Sequence, residues 1–274
     1  KAGRQKQSRD IKRIIPARDT TMENKVSPTI DPGLSKAAWL SCLGRYHEAI
    51  RIFSSPLPGV TPTAEYHAAW AFSLNREGLF DEALKHCGEA LNLDIRCIDA
   101  WFVRGLTLSY LARFREAVEC LEKVVATDPG HAEAWYIRGN CLYSQGDYAG
   151  AVESYDRVLA IEPRYPKALY NRGVALADMG DYESALASYD ACIAINPGVG
   201  VVHTNRGVAL AGLQRYEEAL DAFDLALSLN PEDVSALNNK AICLSRLGRD
   251  NEAMEVMEQA RKLSRLPHVR RGVL

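Results

Sequence analysis

The histidines and cysteines are the residues best equipped for metal binding or nucleophilic chemistry. Zinc sites need nitrogen and sulfur ligands at short spacings, and a helical catalytic zinc site needs two histidines on one face. The six histidines (47, 67, 86, 131, 203 and 268) form neither an HExxH motif nor an i, i+4 pair. His86 and Cys87 can be drawn as ligands together with Cys97, but Cys87 falls where the surrounding pattern puts a buried side chain. No metal is therefore expected. The seven cysteines (42, 87, 97, 120, 141, 192 and 243) make no CxxC pair. An odd number without a framework predicts reduced, buried thiols in a cytoplasmic protein. A GxGxxG phosphate loop is absent: Gly198 and Gly200 sit in NPGVG with no strand-like run before them. Glu217 and Glu218 read as a solvated helix face. The sequence thus predicts a non-enzymatic chain without a cofactor.

What organises these residues is a repeat. Alanine recurs at 49, 83, 117, 151, 185, 219 and 253, always 34 residues apart, and leucine at 40, 74, 108, 142, 176, 210 and 244 keeps the same step. A period in this range marks a stacked array, in which each unit buries its apolar face only against its neighbours. Within residues 132–163 apolar side chains return at i, i+3, i+4 and i+7, the period of an amphipathic helix, and Gly146-Asp147 interrupts them. Each unit is therefore a helix, a tight turn and a second helix. Small residues at the eighth and twentieth positions (Gly139 and Ala151 in this stretch) let the two backbones approach. A proline at the thirty-second position, as in Pro129, Pro163, Pro197 and Pro231, ends the second helix.

Glycine at the fifteenth position (44, 78, 146, 180, 248), an aromatic at the seventeenth (46, 80, 114, 148, 182, 216), and Trp101 and Trp135 at the fourth complete the pattern. These residues make the chain resemble the tetratricopeptide repeat family over residues 30–267, with units starting at 30, 64, 98, 132, 166, 200 and 234. The resemblance implies an all-α, right-handed superhelical solenoid of stacked antiparallel helix pairs, about seven in number, whose first helices line a concave groove. Residues 1–29 are expected to be a flexible basic N-terminal extension, and 268–274 a basic C-terminal tail. Charge is uneven: +6 in residues 1–18, +5 in 261–274 and −13 in 19–260, for a net −2. The acidic body would repel phosphate backbones, so no nucleic acid is expected. No run of about 18 apolar residues predicts a membrane span.

The seventh position of units three to seven is Arg104, Arg138, Arg172, Arg206 and Lys240, and the twenty-fifth is Glu122, Asp156, Asp190, Asp224 and Glu258. Unit two lacks both, with Trp70 and Gly88 there. Their co-occurrence predicts structural ion pairs inside each repeat, between its first and second helices. A guanidinium stem covering apolar surface is the alternative.

Family groove positions map a peptide-binding set onto Phe102, Tyr136, Asn140, Tyr143, Tyr170, Asn171, Asn205, Asn238 and Asn239. Asn171, Asn205 and Asn239 lie one repeat apart and look like the asparagine ladder of O-linked N-acetylglucosamine transferases, which implies gripping of a peptide backbone. The family's two-carboxylate clamp also requires three cations. Here its positions hold Tyr136, Asn140, Asn171, Val201 and Asn205, so that mode is rejected. The expected function is a protein interaction scaffold holding a peptide or partner segment. The alternatives are the targeting region of a larger enzyme such as a glycosyltransferase, or a homo-oligomer joined through its terminal repeats.

Overall fold

The computed structural model describes residues 32–55 and 61–265; the expected extension and tail lie outside these described residues. Fourteen α-helices and no strand occupy the described residues. They are α1 (Pro32–Cys42), α2 (Tyr46–Phe53), α3 (Ala64–Arg76), α4 (Phe80–Leu93), α5 (Ile98–Tyr110), α6 (Phe114–Thr127) and α7 (Ala132–Gln145). After these come α8 (Tyr148–Ile161), α9 (Pro166–Asp178), α10 (Tyr182–Ile195), α11 (Gly200–Gly212), α12 (Tyr216–Leu229), α13 (Val234–Arg246) and α14 (Asp250–Arg265). The helices fall into two compact units, α1–α7 and α8–α14. Among the described residues no helix is long and apolar enough to cross a membrane.

Both ladders form the core. No ladder alanine is more than 4% exposed, and no ladder leucine more than 9%. The twenty-fourth position fills the space beside them with Phe53, Cys87, Leu121, Tyr155, Tyr189 and Phe223, all buried. It opposes the small eighth position of the same unit. A Cβ added to Gly173 would stand 2.5 Å from the Tyr189 ring, and one on Gly207 would stand 2.5 Å from Phe223. In the last unit Met257 holds the twenty-fourth position and is 53% exposed, and among the described residues no helix packs over it. In the first unit α2 has only 8 residues, which fits the prolines at 56 and 58 in the sequence after it.

The turns repeat as well. The fifteenth position is left-handed in every unit: glycine in five, with Ala112 (φ 58°) and Gln214 (φ 61°) in the other two. Outside the second unit, where Leu79 makes no side-chain cap, the sixteenth position then starts the second helix in one of two ways. Asp147 and Asp181 cap it by accepting from the amides of Gly150 and Ser184. Arg45, Arg113, Arg215 and Arg249 instead clasp a glutamate three residues on with both Nε and Nη2. Hydrogen bonding from those arginines holds Glu48, Glu116, Glu218 and Glu252 below the usual carboxylate range.

The ion pairs correct the expected assignment. Arg138 pairs with Glu122 (3.1 Å), Arg172 with Asp156 (2.6 Å), Arg206 with Asp190 (2.6 Å) and Lys240 with Asp224. Each base reaches back 16 residues to the preceding repeat, not forward into its own. The reason is helical geometry. The eighth position faces the repeat's own second helix, and the seventh, a hundred degrees round the helix, faces the second helix of the repeat before. The ends of the ladder agree. Arg104 would meet Gly88 and instead lies 5.8 Å from the Trp101 ring centroid, while Glu258 turns to Arg261 at 3.2 Å. A double-mutant cycle on Arg206→Gln and Asp190→Asn should show a coupling of about 0.2–1 kcal/mol in denaturant unfolding. The same cycle on Arg206 and Asp224 should show none.

Candidate functional site

Within each unit, a first helix touches the first helix of the next repeat (α1 with α3, α3 with α5, α5 with α7; α9 with α11, α11 with α13). Successive second helices make no comparable approach. The first-helix layer is therefore the more tightly spaced of the two and forms the concave side of each unit. Its open positions are the candidate binding surface.

In the α1–α7 unit Phe102 is only 7% exposed and packs its ring 4.6 Å from that of His131, inside a core with Val103 and Leu106. Tyr136 packs partly buried against the same core, and Asn140 and Tyr143 are half-buried. Tyr110 is exposed and stacks on Phe80 at 5.7 Å.

In the α8–α14 unit Tyr170 is 7% exposed and Asn171 4%, whereas Asn205 and Asn239 are half-buried and Asn238 is exposed. The amide nitrogen of Asn205 donates to the Tyr170 hydroxyl at 2.9 Å, and that of Asn239 donates to the Ser235 carbonyl at 2.9 Å. Each internal bond fixes the orientation of its carboxamide. The oxygen and the second N–H of each amide can then be offered outward. Tyr170 and Asn205 thus come together. Phe102, Tyr170 and Asn171 do not stand open as the mapping implied, because neighbouring first helices press against that flank of the helix.

Cys42 is exposed, contrary to expectation, but burial pushes the six buried thiols upward, Cys87 and Cys141 to about 12 and Cys192 to about 11 among them. They are packing residues, as the pattern predicts. A cluster that no motif announced lies in the α3–α4 hairpin, where His67, His86 and Glu89 turn their ligating atoms toward one another. The spacing of 19 residues between the histidines matches no ligand motif, because it is set by the hairpin and not by one helix face.

Family models described as tetratricopeptide repeat match residues 102–166, 166–199, 201–233 and 222–255. An uncharacterized protein of Methanocaldococcus jannaschii is 37% identical over 65 residues, which are 24% of this chain and 76% of that one. The crystal structure of MamA superposes with a TM-score of 0.59 at 25% identity, covering 62% of this chain and 92% of MamA. YrrB, described as a TPR protein with an unusual peptide-binding site, superposes at 0.62 and 23% identity over 71% of this chain and 97% of its own. A tetratricopeptide repeat protein of Parabacteroides merdae gives 0.59 at 15% identity, covering 88% and 96% respectively. The periodic core, the paired helices and these matches agree, and the chain belongs to the tetratricopeptide repeat family.

Proposed function

We propose that this chain is a non-enzymatic scaffold that holds an extended segment of a partner protein against its first-helix surfaces. The observation that carries the reading is the pair of carboxamides, Asn205 and Asn239, one repeat apart on the concave side and each oriented by an internal hydrogen bond. A carboxamide offers a donor and an acceptor together, which is what the backbone of an extended peptide requires. Asn238 adds an exposed amide beside them. In the other unit Tyr136, Asn140 and Tyr143 present mixed aromatic and polar surface suited to side-chain selection. The charge of −13 over residues 19–260 favours a neutral or basic segment.

The test selects peptides from a displayed library on the full chain and measures their affinity for Asn205→Ala/Asn239→Ala. Two lost hydrogen bonds are worth about 2 kcal/mol, roughly a 30-fold weakening. Helix content should be unchanged. Equal affinity for the double variant would remove the carboxamides from the account.

A further inference from the structure

The α3–α4 hairpin departs from the repeat at four positions, and the departures meet in space. At the fourth position units three, four and six place a ring whose nitrogen binds a carbonyl six residues back: Trp101 to Ile95, Trp135 to Pro129 and His203 to Pro197. His67 holds that position here and turns inward instead. At the twenty-third position units three to six carry the small Cys120, Ser154, Ser188 and Ala222, and here His86 replaces them. At the seventh, Trp70 stands where the following units carry a base, and at the twenty-sixth stands Glu89.

The outcome is a compact triangle of ligating atoms. The Nδ1 atoms of His67 and His86 are 3.1 Å apart. One oxygen of Glu89, Oε2, lies 3.0 Å from the first and 2.8 Å from the second. Lys85 approaches the other carboxylate oxygen at 3.9 Å. Trp70 stacks on the His86 ring at 3.9 Å and 22°, so its indole fixes the plane in which the His86 lone pair points. The two imidazoles lie near-parallel at 17°. Burial lowers the proton affinity of both, against the opposing pull of Glu89, which favours the neutral form that binds metal.

We propose that His67, His86 and Glu89 form a binding site for a divalent first-row transition-metal ion. At metal–ligand distances of about 2.1 Å, edges of this length subtend angles of about 90°. Those are three adjacent corners of an octahedron, the two-histidine, one-carboxylate face that leaves the remaining positions to water or to another ligand. A tetrahedral zinc ion would require edges of about 3.4 Å, so the half-exposed Glu89 would have to draw back from both imidazoles and the imidazoles themselves part by about 0.3 Å. Trp70 acts as the positioning residue, through its stacking on His86. The site lies within one hairpin and is independent of the proposed groove.

The test uses the full chain stripped with a chelator and titrated with Zn²⁺ by calorimetry, with Co²⁺ absorption reporting the geometry. One equivalent per chain is expected, together with a rise in Tm on saturation. Loss of an outer-shell partner typically costs about 10–100-fold in affinity, so Glu89→Gln and His67→Ala, which remove ligands themselves, should each cost about 100-fold or more. His47→Ala, at an exposed histidine, should change nothing. Should the variants fail to fold, carbethoxylation of the native chain decides: Zn²⁺ should protect His67 and His86 among the six histidines. No bound equivalent, binding that survives both ligand variants, or protection of other histidines would each overturn the assignment. In that case the triad is a hydrogen-bonded cluster in which one carboxylate oxygen accepts from both imidazoles.

Discussion

Phe223→Ala should lower the unfolding free energy by about 3–5 kcal/mol, the usual loss for a fully buried aromatic ring cut back to a methyl group. Phe223 has no exposed surface and its ring lies directly over Gly207. The backbone of α11 can settle only slightly into the space left behind, so a cavity term adds to the lost transfer energy. In a stacked array this damage is local, because each repeat leans only on its neighbours. Hydrogen exchange should therefore show protection falling first in α11–α14, with α3–α6 little affected. Equal loss of protection along the whole chain would show instead that the array unfolds as a single cooperative block.

Gly173→Leu is the second large effect, and here two terms of opposite sign compete. Helix propensity alone favours leucine over glycine in the interior of α9, by less than about 1 kcal/mol. Against this, the new Cβ would stand 2.5 Å from the Tyr189 ring, with three more heavy atoms beyond it. Tyr189 is 1% exposed and cannot swing outward, so the overpacking cost of about 1–3 kcal/mol decides the sign. The variant should be less stable in urea. The competition is separable: in a Tyr189→Cys background, Gly173→Ala should stabilise, because the second repeat already packs Ala71 beside Cys87 in this register and only propensity remains. Destabilisation in that background too would mean that the ring is not what restricts the position.

The candidate site was only partly legible beforehand. The asparagines at 171, 205 and 239 stand in one register, and register is visible in a periodic sequence. Their different exposures, with Asn171 nearly buried and Asn205 half-open, depend on how closely each pair of first helices approaches. The ion ladder shows the same division. The sequence says that bases and acids come and go together, but a repeat read in isolation looks the same whether a base faces its own second helix or the one before it. The ends of the ladder distinguish the two: Arg104, opposite Gly88, turns to Trp101, and Glu258, beyond the last ladder base, turns to Arg261.

By itself the sequence determined the helical hairpin, its length of 34 residues and the buried ladders, because these follow from backbone periodicity and from side-chain volume at fixed spacing. Tertiary structure alone decided which repeat each ladder base grips, which groove residues remain open, and that His67, His86 and Glu89 converge. Those three matters depend on side-chain direction across a hairpin or between neighbouring repeats, where a rotation of a hundred degrees changes the partner while the spacing in the chain stays the same.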